Sequence, residues 1–103
     1  MNSYVLSPRA GQDLDDICEF IARDSLQAAS RVLSAIEKAI QSIAQSPGVG
    51  HFREELADRQ FRFFLVYSYL IVYRPETKPL QVVRILHGAR DIQSILRLAS
   101  DPS

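Results

Sequence analysis

The sequence predicts an α+β fold with elements in the order β-α-α-β-β-β and a short C-terminal helix. A short N-terminal strand is followed by an antiparallel hairpin of two helices, which packs on a twisted antiparallel sheet. Apolar residues recur at helical spacing up to about residue 46, and from residue 61 onward their period changes to two. A length of 103 residues with 47% apolar residues suits one modest core, so we expect a single domain over residues 1–103.

The two helices are predicted from their start and stop signals. Ser7 before Pro8 is typical of an N-cap with proline at the first helical position, which predicts a helix to about Ala22. A second helix follows a break at residues 24–25 and ends at residues 46–48, which include a proline and a glycine. The apolar stripes are Leu14, Ile17, Cys18 and Ile21 on the first helix, and Ala29, Val32, Leu33, Ile36, Ile40 and Ile43 on the second.

The strands are expected at Tyr4–Leu6 and, as an antiparallel meander, at residues 61–66, Tyr69–Arg74 and Leu80–His87. Residues 47–60 form a loop with one helical turn near residues 54–56. Both parities of the meander strands are partly apolar, yet the helices can cover only one face of the sheet. We therefore expect the other face to be an exposed apolar surface carrying arginines, a feature typical of protein-binding sites. A homodimer buried through that face is the alternative.

Composition excludes several classes of function. The formal net charge is zero, which argues against a strongly electrostatic nucleic-acid binder, although residues 51–103 hold eight basic and six acidic residues and suit an acidic partner better than residues 1–50. No secretory signal or membrane span is evident, so a cytoplasmic location is expected. His51, His87 and Cys18 have no metal-ligand spacing, and we expect neither a metal nor a cofactor. Cys18 reads as a small buried apolar residue.

Four segments in order carry a resemblance to a known family: YVLSPRAGQDLDDICEFIA, AASRVLSAIEKAIQSIAQSPGVG, YLIVYR and VVRILHGARDI. Together they resemble the ParE branch of the ParE/RelE superfamily of toxins from bacterial type II toxin–antitoxin operons, which stabilise plasmids. The resemblance covers residues 4 to about 96. It implies a toxin neutralised by a ParD-like antitoxin in a hetero-oligomeric complex. It also implies inhibition of DNA gyrase by direct binding, without sequence-specific binding of nucleic acid.

The RelE branch of the superfamily cleaves mRNA on the ribosome, and this chain departs from the RelE pattern. Leu70 stands where the resemblance would place a catalytic arginine, Phe64 replaces a lysine, and Leu96 falls near the position of a tyrosine. Removing one preorganised charge from such a site costs about 3–4 kcal/mol of transition-state stabilisation, so the ParE interpretation is favoured.

A RelE-like ribosome-dependent mRNA endonuclease remains the alternative. Its candidate catalytic residues are Arg62, Arg84, His87 and Arg90. A trio of Glu54 or Glu55, Arg62 or Arg74, and His87 is a second way to assemble acid–base chemistry. Strict strand alternation places His87 with Val83 and Ile85, and Arg84 with Val82 and Leu86, on opposite faces. A third interpretation is a non-toxic homodimeric scaffold or a decayed toxin.

Candidate residues for contact with the antitoxin or the target come from the meander and its neighbouring loops. Arg84 is expected either to bind an acidic side chain of the antitoxin in bidentate fashion or to pair with an aspartate of the same sheet. The Arg90–Asp91 pair either contacts a partner or caps the last helix. The full candidate set is Arg53, Arg62, Phe64, Leu70, Val72, Arg74, Arg84, Leu86 and Arg90.

Overall fold

A computed structural model of the chain describes residues 4–52 and 60–88. Within these residues the predicted order of elements is confirmed. The predicted C-terminal helix and the helical turn near residues 54–56 lie outside the described residues. The elements are β1 (Tyr4–Leu6), α1 (Pro8–Ala22), α2 (Leu26–Gln45), a 3₁₀ turn (Pro47–Val49), β2 (Arg62–Val66), β3 (Tyr69–Arg74) and β4 (Leu80–His87).

The four strands form a mixed sheet in the order β1-β4-β3-β2. Strands β2, β3 and β4 make the predicted antiparallel meander, but β1 pairs with β4 in parallel. The predicted antiparallel pairing is therefore confirmed for the meander, and the parallel pairing of β1 makes the whole sheet mixed. The reason is geometric: a meander of three strands ends in the direction in which it starts, and the helix hairpin returns the chain to the end of the molecule where β1 began. The last strand consequently runs alongside β1.

Both helices begin at serine caps, as the sequence indicates for α1. The Ser7 hydroxyl oxygen accepts a hydrogen bond from the Ala10 N–H at 3.0 Å, and that of Ser25 accepts one from the Ala28 N–H at 3.1 Å. Such caps each contribute about 1 kcal/mol. The Ser7 hydroxyl also donates to the Val83 carbonyl oxygen at 2.7 Å, so the start of α1 is fixed to β4.

The main core lies between the helix hairpin and one face of the sheet. On α1 the buried positions are Ala10 and Asp13, while the predicted stripe of Leu14, Ile17, Cys18 and Ile21 is only half-buried. The stripe predicted for α2 is deeper, since Ile36, Ile40 and Ile43 are fully enclosed. The buried members of this core are Ala10, Ile36, Ile40, Ile43, Ile71, Tyr73, Leu80, Val82 and Ile85.

The opposite face of the sheet carries a second buried cluster. It consists of Phe61, Phe63, Leu70, Val72 and Leu86, none more than 6% exposed. The expectation of an exposed apolar face was therefore wrong for these residues. Two aromatic and three aliphatic side chains are removed from water together, and this burial stabilises the free chain itself.

A β-bulge interrupts the alternation of β4. Val72 pairs with Arg84 and Tyr73 pairs with Val82, so Val83 is an extra residue in β4. Val82 accordingly packs in the main core with Ile85, whereas Val83 packs against the second cluster. The predicted grouping of Val82 with Leu86, and of Val83 with Ile85, was wrong because a bulge reverses the parity of every residue beyond it.

No helix in residues 4–52 and 60–88 is long and apolar enough to cross a membrane.

Candidate functional site

Arg84, a candidate for binding an acidic partner, is paired inside the protein. Its Nε donates to Oδ2 of Asp13 at 2.7 Å and its Nη2 donates to Oδ1 at 2.9 Å, which makes a bidentate ion pair. Both side chains are more than nine-tenths buried. The hydrogen bonds to Asp13 raise the pKa of the Arg84 guanidinium. Of the two roles considered, the structure places Arg84 in the internal pair, although its aspartate lies on α1 and not on the sheet.

Asp13 also completes the edge of β4 beyond the end of β1. Strand β1 stops at Leu6, and the next backbone N–H, that of Ser7, donates to the Val82 carbonyl oxygen at 2.9 Å. Further along β4 the Ile85 N–H donates to Oδ2 of Asp13 at 3.0 Å. The sequence analysis missed this role. The signal was available, because Asp13 lies three residues after Ala10 and four before Ile17, a charged residue within a helix's apolar stripe.

Arg62 and Tyr73 hold the loop after α2 against the sheet. The Tyr73 hydroxyl donates to the Pro47 carbonyl oxygen at 2.7 Å and accepts from the Gly50 N–H at 3.0 Å. Arg62 donates from Nη1 to the Gly50 carbonyl oxygen at 2.6 Å, and its guanidinium lies 4.0 Å from the centre of the Phe52 ring. Burial raises the pKa of Tyr73, although the Gly50 hydrogen bond and the Arg62 charge oppose that change. Arg62 therefore has a structural role.

Arg74 has internal contacts as well. Its Nη1 donates to Oε1 of Gln60 at 2.7 Å, and the guanidinium lies 4.9 Å from the centre of the Phe61 ring. The ring belongs to the second cluster, so Arg74 lies over the edge of that cluster. The Arg74–Gln60 hydrogen bond is exposed, and this side chain is accessible to solvent in a way that Arg84 is not.

The apolar candidates are mostly core residues. Val72 and Leu86 have no exposed surface and Leu70 is 6% exposed, all three in the second cluster. A partner cannot reach them while the fold is intact. Phe64 is half-buried and packs on the main core beneath the helices. These four positions therefore form packing surfaces within the fold itself.

His87 is exposed at the end of β4, where its ring meets the edge of Tyr69 at 5.6 Å between ring centres. It does not lie near the candidate arginines of β2 and β3. Arg62 is opposite Tyr73 and His87 is opposite Tyr69, a separation of four residues or about 13 Å along the strands. Arg84, although three residues away, has its guanidinium bound to Asp13. The described candidates for mRNA cleavage are not assembled into one site.

Several candidates lie outside the described residues. Arg53 and the alternatives Glu54 and Glu55 fall in residues 53–59, and Arg90 and Leu96 fall in residues 89–103. Their proposed roles stay predictions.

Residues 4–52 and 60–88 contain no group of three or more histidine, cysteine and acidic side chains that could hold a metal ion. Cys18 is half-buried, and burial together with the charges of Asp15 and Glu37 raises the pKa of its thiol. A raised pKa lowers the thiolate fraction at neutral pH, so the thiol is a poor nucleophile.

The described elements and side-chain contacts define the class of protein to which this chain belongs. It is a small α+β domain whose helix hairpin packs on a mixed sheet, and whose described arginines on β2, β3 and β4 each make internal contacts. Within those residues no acid–base cluster is assembled.

Comparison with known proteins identifies the family. Residues 4–92 match the model of the family described as the ParE toxin of the type II toxin–antitoxin system, parDE. The chain belongs to the ParE toxin family and is a toxin of a type II toxin–antitoxin system. It is similar in structure to a chain of the chromosomal ParDE toxin–antitoxin system from P. aeruginosa, with a TM-score of 0.68 and 20% identity over 84% of this chain and 96% of that one. No protein of curated function matches the chain.

Proposed function

We propose that this toxin is neutralised by a ParD-like antitoxin encoded with it, and that it inhibits DNA gyrase by direct binding without cleaving mRNA. The observation that carries the proposal is the separation of the candidate catalytic groups. His87 lies about 13 Å along the strands from Arg62, at ~3.3 Å per residue, and the Arg84 guanidinium is buried against Asp13.

Cleavage of RNA requires several charged groups aimed at one phosphate. Preorganised donors stabilise developing charge only when they lie about 3 Å from it, and each one contributes about 3–4 kcal/mol. Arg62 and Arg74 instead make hydrogen bonds to loop residues at one end of the sheet, while His87 lies at the other end. This arrangement supports inhibition by binding.

Membership of the ParE family supports an antitoxin partner. A type II antitoxin is a protein that binds its toxin, and the ParDE system of P. aeruginosa pairs the two components. Co-expression of this chain with the product of the adjacent short reading frame should give a stable hetero-oligomer. Co-purification on a tag carried by the antitoxin measures it, and a toxin that stays unbound would contradict this part of the proposal.

The mechanism is tested by two reactions run with the same purified toxin. We expect the toxin to inhibit supercoiling by DNA gyrase and to leave mRNA intact on translating ribosomes. An equimolar amount of the antitoxin should restore supercoiling. Cleaved mRNA together with uninhibited gyrase would establish the alternative, a RelE-like endonuclease, and would reject gyrase as the target.

A further inference from the structure

The second cluster is buried even though the helix hairpin lies on the other face of the sheet. None of its five residues is more than 6% exposed within the single chain. Among residues 4–52 and 60–88, Val83 is the partly buried apolar residue that packs against the cluster, and the Arg74 guanidinium lies over the Phe61 ring. These two side chains cannot cover five apolar ones that extend from residue 61 across β3 to β4. Further cover therefore comes from a part of the same chain outside the described residues.

The cover is confined to the middle of that face. Leu65 lies two residues after Phe63 on β2, so its side chain is on the same face, yet it is 63% exposed. At the opposite edge of the sheet Val5 is 43% exposed, and its neighbours Tyr4 and Leu6 pack on the main core. Val5 therefore points to the face of the second cluster, because neighbouring residues of a strand alternate. Both edges of this face are open while its centre is closed. One α-helix, about 10–12 Å across with its side chains, gives cover of this width.

The chain leaves the sheet directly beside the cluster. Leu86 is a member of the cluster near the end of β4, and two residues later the Gly88 N–H donates to the Ser68 carbonyl oxygen at 2.8 Å. Residues 89–99 follow, with the sequence ARDIQSILRLA, and we name them the C-terminal segment. A segment that begins next to its docking surface loses little chain entropy on docking, since the loop to be closed is short.

The C-terminal segment has apolar residues at helical spacing. Its stripe follows the positions i, i+3, i+4 and i+7, which lie on one face of a helix. The members of the stripe are Ile92, Ile95, Leu96 and Ala99. The other long segment outside the described residues, REELADR at residues 53–59, holds five charged residues and two apolar ones. It has too little apolar surface to cover the cluster.

The C-terminal segment is long enough to cross the cluster. As a helix its eleven residues span about 16 Å at ~1.5 Å per residue. Strands β4 and β2 are two strand spacings apart, or about 10 Å at ~4.8 Å per spacing. A helix that starts at the end of β4 can therefore reach from Leu86 over β3 to Phe63.

We propose that the C-terminal segment is an amphipathic helix docked on the second cluster, with Ile92, Ile95 and Leu96 facing the sheet. The apolar face is then closed within the chain itself. A homodimer buried through this face is the other occupant, but a dimer interface is exposed in the single chain, whereas the cluster is at most 6% exposed there. The proposal goes beyond the proposed function, because it assigns neither the target nor the antitoxin, and it is tested without either.

Two reporter thiols on opposite faces of the sheet test the docking. Val72 belongs to the second cluster and Val82 to the main core, and neither has exposed surface. Val72→Cys and Val82→Cys are made separately in the full chain with Cys18→Ser, so that each protein has one thiol. The readout is the rate at which iodoacetamide alkylates that thiol below the melting temperature. Loss of the cover speeds alkylation at position 72 alone, whereas loosening of the whole fold speeds it at both positions.

The apolar stripe is disrupted by Ile92→Gln with Leu96→Gln, since glutamine keeps helix propensity and removes the apolar contact. We expect this double variant to raise the alkylation rate at position 72 at least about tenfold and to leave that at position 82 within about twofold. The matched control, Gln93→Ala with Arg97→Ala, changes the polar side of the same segment and should leave both rates unchanged.

An unchanged rate at position 72 in the Ile92 and Leu96 double variant would overturn the proposal. Leu56→Gln, which removes an apolar side chain from residues 53–59, should change neither rate. A faster rate at position 72 with that variant, and not with the double variant, would assign the cover to residues 53–59 and would reject the C-terminal segment. If the double variant speeds both thiols alike, the milder Leu96→Ala is measured and should speed position 72 alone. An equal rise at both positions in that variant too would also overturn the proposal.

Discussion

The Asp13 carboxylate accepts three hydrogen bonds, two from Arg84 and one from the Ile85 N–H. It thus neutralises a buried cation and satisfies a strand edge with one side chain. Buried ion pairs are strongly destabilising to break, because the remaining charge is left without a partner in a poorly hydrated place.

Replacing Asp13 by asparagine should lower the free energy of unfolding by about 3–5 kcal/mol. The control is Asp16→Asn, which affects an exposed hydrogen bond to Gln12 and should change stability by less than about 0.5 kcal/mol. Urea unfolding at pH 7 measures both. If the two variants had the same free energy of unfolding, the Asp13–Arg84 ion pair would not contribute measurably to stability. The double variant Asp13→Leu with Arg84→Met should lose less than Asp13→Asn, since it leaves no unpaired charge.

Tyr73 should make stability depend on pH in the alkaline range. Burial raises its pKa in the folded state above the usual value of about 10, so below pH 10 both states hold the proton and there is no dependence. Above pH 10 the unfolded state loses the proton first, and the free energy of unfolding therefore falls as the pH rises.

The variant Tyr73→Phe should remove the part of the fall in unfolding free energy above pH 10 that comes from Tyr73. At pH 7 it should be less stable by about 1–3 kcal/mol, because the Gly50 N–H and the Pro47 carbonyl lose their partner. Urea unfolding of both proteins from pH 7 to pH 11 is the measurement. Parallel curves for the two proteins would show that the Tyr73 hydroxyl does not contribute to the pH dependence.

At the scale of elements, the loop after α2 approaches the sheet so closely that position 50 has no room for a side chain. A Cβ on Gly50 would overlap the Tyr73 hydroxyl and would lie 2.9 Å from the Phe63 carbonyl oxygen. Gly50→Ala should therefore destabilise the protein by about 1–3 kcal/mol. Gly48→Ala in the neighbouring 3₁₀ turn meets no atom within 4 Å and should change stability by less than about 1 kcal/mol. Thermal unfolding of both variants checks this, and equal melting temperatures would show that the loop can shift.

Local signals in the sequence were sufficient to predict most of the helices and strands. Ser7-Pro8 fixed the start of α1, and the period of two over Tyr69–Arg74 and Leu80–His87 gave both strands with their observed bounds. The bulge at Val83 was not predictable in this way, because it depends on the register between β3 and β4 rather than on the residues of either strand.

The candidate site was harder to predict than the fold. The arginines were recognised, but their partners come from distant parts of the chain: 71 residues separate Arg84 from Asp13, and 12 separate Arg62 from Gly50. Alternation within a strand cannot show that a guanidinium is already bonded. The burial of Leu70 and Val72 was missed for a related reason, since strand parity does not reveal what covers a face.

At the scale of the whole molecule, the described candidates for catalysis lie at different ends of the sheet. Arg62 and Arg74 make hydrogen bonds near the loop after α2, whereas the β2–β3 turn and the end of β4 lie at the opposite end of the sheet. His87 is at the end of β4, opposite Tyr69 and away from Arg62 and Arg74.

His87→Ala should lower the potency of the toxin by less than about tenfold, since the described residues place no candidate catalytic arginine beside its ring. Loss of a catalytic acid or base would cost about 100-fold or more. Gyrase inhibition and mRNA integrity on ribosomes, measured with a variant of wild-type melting temperature, decide between the two. A 100-fold loss confined to mRNA cleavage would restore His87 to a catalytic role.

The position of β4 between β1 and β3 also determines when the toxin can fold during its synthesis. Strand β1 pairs with a strand translated more than 70 residues later, and the hydrogen bond from Ser7 to Val83 spans 76 residues. Helices α1 and α2 and the β2–β3 hairpin rest on local contacts, whereas the sheet that joins them closes only after residue 87 has been made. Long-range closure of this kind slows folding. A nascent chain stopped before residue 80 therefore lacks β4, the inner strand that joins β1 to the β2–β3 hairpin, and cannot assemble the sheet. The folded toxin forms only after almost all of the described chain has been translated.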